Sequence, residues 1–273
     1  MGLLEEHGSD AVRYWAASGG PGVDTAFDTG QMKVGRRLAI KLLNASKFIL
    51  ASAEPTGPVT ALIDRGMLSG LAALATEVTG ALDAYEYGKA LQRVESFFWD
   101  FCDNYLELVK SRRYGDQGPE GAASANAALQ TALGVLLRLF APYVPYATEE
   151  VWSWWRTGSI HRATWPTALE VLAPIGGVTD PEAEKALALA IQVLGDVRKE
   201  KSAQSRALKT PVSLFRWSVP DDVALTLNEL APDLTGSCLI QRFEVEIGPM
   251  GPMQIELAPP ADPAAPAPPR GDA

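Results

Sequence analysis

The side chains able to do chemistry are few and scattered. His7 and His161 have no Cys or His at metal-ligand spacing, and Ser, His and Asp do not gather into a nucleophile motif. No catalytic residue and no metal ligand is expected, and both histidines read as surface or edge residues. Glu149 and Glu150 look like a carboxylate pair, but neighbours on a helix point about 100° apart. They read instead as helix N-terminal charges stabilised by the dipole. Gly30-Gln31-Met32-Lys33-Val34-Gly35-Arg36-Arg37 nearly matches the phosphate-cradling pattern G-x-x-x-x-G-K-[ST]. It has Arg where that loop needs Lys and Arg where it needs a hydroxyl, and no apolar strand precedes it, so a helical segment holding two glycines is expected. Lys199-Glu200-Lys201-Ser202 reads as the end of a charged helix rather than a catalytic lysine loop. Cys102 and Cys238 lack the spacing of a zinc site or redox dithiol, so they are expected to be buried thiols in a reducing, cytoplasmic compartment.

What remains is binding chemistry. Lys33, Arg36, Arg37, Lys41 and Lys47 follow one another with no acid between Gln31 and Leu50. At 100° per residue, Lys33, Arg37, Lys41, Asn44 and Phe48 fall in a stripe about 80° wide, beside an apolar stripe of Val34, Leu38, Leu42, Ala45 and Ile49. Cations neutralise phosphates, an amide reads a base edge and an outward ring stacks on an unpaired base. The same pattern equally suits solvated cations with Phe48 in the core. Lys110, Arg112 and Arg113 close a helix, where the dipole favours cations with or without RNA. Arg198, Lys199, Lys201, Arg206 and Lys209 form a further basic run interrupted by Glu200, for which solvation is the simpler reading.

The elements that must position these residues are mainly helical. Ser9 and Asp10 start a helix that Gly19-Gly20-Pro21-Gly22 breaks, and a second runs from near Thr29 to about Ala53. Two long helices are expected from about Met67 to Tyr114, with core stripes of Leu71, Leu74 and Val78 and of Leu91, Val94, Phe98, Phe101, Cys102 and Tyr105. Gly115 to Ser124 reads as a glycine-rich loop before an apolar helix, Asn126 to Ala141. Thr148 is expected to cap a short helix through Trp152. After Trp165-Pro166 the texture changes: a helix over Pro181 to about Ala203, strands over Val212 to Val219, Leu239 to Ile247 and Met253 to Leu257, and a short helix over Asp221 to Leu230. Six prolines among residues 258–273 predict disorder there. The fold class is therefore mainly α, a helical bundle with a small C-terminal α/β subdomain. Its expected parts are 1–28 as a linker, 29–166 as the bundle, 167–257 as the α/β subdomain and 258–273 as the tail.

Composition narrows the function further. The 273 residues include 47% apolar side chains, enough for a real core. The start Met1-Gly2-Leu3-Leu4-Glu5-Glu6 has neither the basic residues nor the apolar run of a signal peptide. The apolar stretch from Ala127 to Ala141 contains Arg138 and is shorter than the roughly 20 residues of a membrane span, so a core helix and no membrane partner are expected. With 33 acids against 24 bases and a net charge of −9, any nucleic-acid surface must be local.

Four segments resemble the valyl-tRNA synthetases in the part that follows their catalytic domain. Gly2-Leu3-Leu4-Glu5-Glu6-His7-Gly8-Ser9-Asp10-Ala11-Val12-Arg13-Tyr14 is similar to the segment after their Lys-Met-Ser-Lys-Ser loop, and Lys41-Leu42-Leu43-Asn44-Ala45-Ser46-Lys47-Phe48 to their first anticodon-domain helix. Trp99-Asp100-Phe101-Cys102-Asp103-Asn104-Tyr105-Leu106-Glu107-Leu108-Val109-Lys110 favours the valyl over the isoleucyl and leucyl enzymes, and Leu136 through Trp152 is shared across all three. The resemblance, over roughly residues 2 to 210, implies an anticodon-binding bundle that presents tRNA(Val) to an ATP-dependent ligase. It places Lys41, Lys47 and Phe48 against the anticodon arm. Gly30 stands where some members carry a basic residue. The His-Ile-Gly-His and Lys-Met-Ser-Lys-Ser signatures and the editing domain do not occur in this sequence, so the chain reads as a C-terminal portion, inactive alone, with no cofactor of its own. ATP and valine would bind a separate catalytic chain or domain. The family's C-terminal coiled coil has no counterpart after Leu230.

Overall fold

The computed structural model describes residues 2–20, 22, 24, 26–51 and 57–259, and the expected disordered tail falls, from residue 260 onward, outside them. The chain divides into two compact units, residues 1–192 and 193–273, so the change of texture at residue 166 lies within the first unit.

In the first unit, α1 (Gly2–His7) and α2 (Ser9–Ser18) lead to α3 (Thr29–Leu50), α4 (Leu62–Asp83) and α5 (Tyr87–Asp100). A wide π-turn, Phe101–Tyr105, continues α5 into the short α6 (Leu106–Leu108) and α7 (Lys110–Arg113). Then follow α8 (Gly118–Phe140), α9 (Pro145–Ser153) and α10 (Ala168–Leu172). The core helix is α8, whose Ala128, Leu129, Ala132, Leu133, Leu136, Leu139 and Phe140 are all buried. It is long and apolar enough to cross a membrane, but its most apolar window is 67% buried inside the protein, as a core helix should be. Around it pack α3, α4, α5 and α9, and α2 crosses both α3 and α5. The crossing of α2 on α3 requires Gly35, because a Cβ there would sit 2.6 Å from that of Tyr14.

Two helix starts differ from the expectations, for reasons of long-range chemistry. Gly115 to Ser124 is not a loop: α8 begins at Gly118, with Pro119 in its first turn, where a missing N–H costs nothing. Thr148 is not an N-cap: α9 begins at Pro145, and the Thr148 hydroxyl donates back to the Val144 carbonyl. The free N–H groups of Tyr146 and Ala147 are capped instead by Asp10, whose carboxylate accepts them at 3.0 and 2.7 Å. For α3, Asp28 is the cap, accepting from the N–H of Gly30 at 2.7 Å. Residues 30–37 thus lie within a helix, and the near-match to a phosphate loop carries no loop geometry.

The division between the units falls within α11 (Pro181–Ala203). The second unit continues with β1 (Val212–Val219), α12 (Asp221–Cys238), β2 (Phe243–Ile247) and β3 (Gln254–Leu257). The sheet order is β2-β1-β3, with β1 parallel to β2 through the α12 crossover and antiparallel to β3. Phe215 pairs with Phe243 across β1 and β2, their rings stacked 4.9 Å apart. The α12 helix runs eight residues beyond Leu230, carrying Pro232 within it, and Leu239 ends it in a left-handed conformation. Lys201 is buried and donates to the carbonyls of Leu208 and Cys238 at 2.9 and 3.0 Å. It clamps the end of α11 to the loop and helix beside it.

Candidate nucleic-acid interface

Helix α3 sorts its residues as amphipathicity demands. Met32, Leu38, Leu42, Ala45 and Ile49 are buried, whereas Lys33, Arg36, Arg37, Asn44 and Lys47 are exposed. Among the described residues, Lys33, Arg36, Arg37 and Lys47 have no ion-pair partner. Arg36 is oriented by a 2.7 Å hydrogen bond to the Glu6 carbonyl of α1, which leaves its charge uncompensated. The edge therefore presents four cations and an amide to solvent over about four turns.

Lys41 differs from its neighbours. Its ammonium pairs with Asp103 at 3.0 Å and lies 5.7 Å from the Trp99 ring centre, so a phosphate would have to compete for it. Phe48 is half-buried. The Arg113 guanidinium lies 4.1 Å from its ring centre, and Tyr114 meets its edge at 6.3 Å. The ring neither belongs wholly to the core nor stands free.

The second basic cluster breaks apart. Lys110 is exposed and near Glu107, but Arg112 is 1% and Arg113 3% exposed. Arg112 donates to both oxygens of the buried Asp64 at 2.7 and 2.8 Å. The same carboxylate accepts from the hydroxyls of Tyr105 and Ser124, each at 2.7 Å. Ser124 in turn accepts the N–H groups of Thr60 and Ala61, closing the start of α4. This network ties α4, the π-turn, α7 and α8 together. Arg113 donates to the Ile49 carbonyl at 3.2 Å, and burial lowers its pKa. Arg112 and Arg113, both expected as RNA contacts, have their guanidiniums engaged inside the bundle. The reason is a buried acid 48 residues away from Arg112, invisible to any local pattern.

The neighbours of the α3 edge that the sequence did not single out are aromatic. Trp154, directly after α9, has its indole N–H on Glu150 at 3.0 Å and the Lys47 ammonium 5.9 Å from its ring centre. Trp155 carries Arg156 at 4.2 Å. The string Trp152-Ser153-Trp154-Trp155-Arg156 was the available signal, since a surface helix rarely concentrates three indoles. Elsewhere, an open concavity of about 750 Å³ is lined by Tyr14, Tyr85, Glu86, Gln92 and Glu95. Tyr14 donates there to Glu95 at 2.6 Å, and burial first, then that carboxylate, raises the pKa of its phenol. Among the described residues no group of three His, Cys, Asp or Glu is placed to hold a metal ion.

Residues 64–214 match the family described as the anticodon-binding domain of tRNA ligase. The chain is 46% identical over 258 residues to the valine–tRNA ligase of Salinispora tropica, covering 89% of this chain and 29% of the relative. It is 47% identical to that of Salinispora arenicola over the same shares, and 52% identical over 217 residues to that of Thermobifida fusca, covering 78% of this chain and 24% of the relative. The chain thus spans under a third of the length of these relatives. A bundle of this architecture, a family match over more than half its length and relatives of one specificity lead to one conclusion: the chain belongs to the anticodon-binding domain family of tRNA ligases, as a C-terminal region of the valyl-tRNA synthetase type.

Proposed function

We propose that this chain binds tRNA(Val) along the exposed edge of α3 and positions it for ATP-dependent aminoacylation by a catalytic domain carried elsewhere, in the cytoplasm. The observation that carries the proposal is the uncompensated charge of Lys33, Arg36, Arg37 and Lys47 on a protein whose net charge is −9. A local cationic strip on an acidic molecule selects a polyanion by position rather than by bulk attraction. Asn44, between the cations, supplies a donor and an acceptor suited to a base edge. Lys41 joins them by exchanging Asp103 for a phosphate, and Lys110 adds a peripheral charge beside Glu107. Arg112 and Arg113 serve the interface by holding the helix ends that frame it.

Filter binding of tRNA(Val) across a salt series, with a non-cognate tRNA and heparin as competitors, tests the proposal. Tight binding to tRNA(Val), falling steeply with salt and resisting heparin, is expected. Equal binding to every polyanion would contradict it. The second reading, a docking module without RNA affinity, draws on the exposed apolar side chains of Leu4 and Ile40, 46% and 49% accessible. It gains if tRNA(Val) fails to bind while the fold is intact.

A further inference from the structure

The open concavity of about 750 Å³ is opposite in sign to the α3 edge. Its walls come from the C-terminal end of α2, the turn from α4 to α5 and the first turns of α5. Glu95 lines it, half-buried, with one oxygen accepting from the Tyr14 hydroxyl at 2.6 Å and the other from the Trp99 indole N–H at 3.1 Å. Both donors are neutral. Glu86 and Lys89, the other charged side chains of the lining, pair with each other at 2.7 Å, and among the described residues no cation pairs with Glu95. The last turn of α2 has no basic side chain to offset the partial negative charge of its terminal carbonyls. A half-buried carboxylate held by neutral donors alone, beside an open space, favours an incoming cation.

Tyr85 adds a ring to this wall at a conformational cost. It follows α4 with a φ of 61°, the left-handed position that glycine or asparagine usually fills, while the N–H of Glu86 closes the turn on the Ala81 carbonyl at 2.8 Å. Its side chain lines the concavity, and Tyr87 meets the ring edge-on at 6.2 Å. A strained backbone that keeps an aromatic ring in the same concavity as an uncompensated carboxylate suits a guanidinium, which both stacks on rings and donates in a fork to carboxylate oxygens. Ala84 and Leu91 give the lining an apolar part, against which the methylene stem of an arginine would lie.

We infer that this concavity receives an arginine side chain presented by a protein partner, with Glu95 taking the guanidinium and Tyr85 packing against it. The inference does not depend on the RNA-binding reading. Phosphates are disfavoured here, because they would meet Glu95 and the carbonyl end of α2, both of like sign.

The test uses the full chain with N-acetyl-arginine amide as the probe, followed by NMR through the Trp99 indole N–H, whose acceptor is Glu95. A saturable shift in the millimolar range is expected, with none from N-acetyl-citrulline amide, the neutral isostere. Glu95→Gln should weaken binding about tenfold, the worth of a charge-assisted hydrogen bond. Tyr85→Gly should weaken it severalfold without lowering the melting temperature, because glycine adopts the left-handed turn freely. A tyrosine kept only for packing would not separate those two readouts. No saturable shift from the arginine probe, equal binding of the citrulline probe, or wild-type affinity in a folded Glu95→Gln would overturn the inference. Should Glu95→Gln fail to fold, Tyr85→Gly decides, and unchanged affinity there overturns it. Preferential saturation by spermidine would show a polyamine site instead, and competition between tRNA(Val) and the arginine probe would put the concavity on the RNA path; either result contradicts the inference. Failure of tRNA(Val) to bind, with the arginine probe still bound, leaves it standing.

Discussion

Two basic segments of this protein look alike in sequence and behave in opposite ways. Lys33 to Lys47 and Lys110 to Arg113 both place several cations within a few helical turns, yet the first turns its charges to solvent and the second buries two of three. The deciding factor is what lies across the helix. The inner face of α3 is apolar and already satisfied by α2, α8 and α9, so its cations have nowhere to go but outward. The inner face of α7 meets Asp64, a fully buried carboxylate, which in a low-dielectric interior demands a paired, hydrogen-bonded cation. A cluster of positive charge is therefore evidence for a ligand only after buried acids elsewhere in the chain have taken their share.

The sharpest way to break the comparison is at Arg112. Arg112→Ala removes the cation that pairs with buried Asp64, and a loss of about 3–5 kcal/mol is expected by thermal or urea unfolding. Replacing both partners with apolar residues, Asp64→Leu with Arg112→Met, should recover only part of that loss, because the Tyr105 and Ser124 hydroxyls lose the carboxylate to which they donate. If Arg112→Ala left stability untouched, the distinction between the two segments would collapse.

A second test probes the interior beneath α3. Burial pushes the Cys102 thiol up to about 12, with Lys41 lowering it and Asp103 raising it, and burial likewise pushes the Tyr143 phenol up to about 12. Both groups hold their protons more tightly folded than unfolded. Stability should accordingly be full below the ordinary thiol range, near pH 9, and decline as the pH rises towards 12, because the unfolded chain ionises first. Alkaline titration of the unfolding midpoint measures this, and Cys102 should resist thiol reagents at pH 8 until the protein is unfolded. Rapid labelling of the native thiol would show that the π-turn opens readily.

A smaller effect is expected at Asp103. Asp103→Asn removes the acid that competes with RNA for Lys41, so tRNA(Val) affinity should rise by a few-fold while stability changes by less than about 1 kcal/mol, the usual worth of an exposed pair. Weaker binding would place Asp103 among the RNA contacts instead.

Much of this was legible in the sequence, and what was not shares one cause. The apolar stripes on α3, α4, α5 and α8, the strand β1 and the buried state of both cysteines follow from local periodicity and composition, as does the outward edge of Lys33, Arg37 and Asn44. The errors lie where a side chain is answered from far away. Gly121 looked like part of a flexible loop, but it sits in a helix and gives room to the Arg112 side chain, which a Cβ would approach to 3.2 Å. Thr148 looked like a cap because Asp10, the true one, is more than a hundred residues distant. The burial of Arg112 and Arg113 was not foreseen because nothing near them in sequence announces Asp64 or the Ile49 carbonyl.

The most direct test of the central claim compares salt dependence across the two segments. The slope of log affinity for tRNA(Val) against log salt should shrink in magnitude by about two in the Lys33→Ala, Arg37→Ala double variant, one unit for each lost phosphate contact. It should not change in the apolar Asp64→Leu, Arg112→Met pair. Identical slopes for the wild type and the α3 double variant would show that RNA does not bind along this edge.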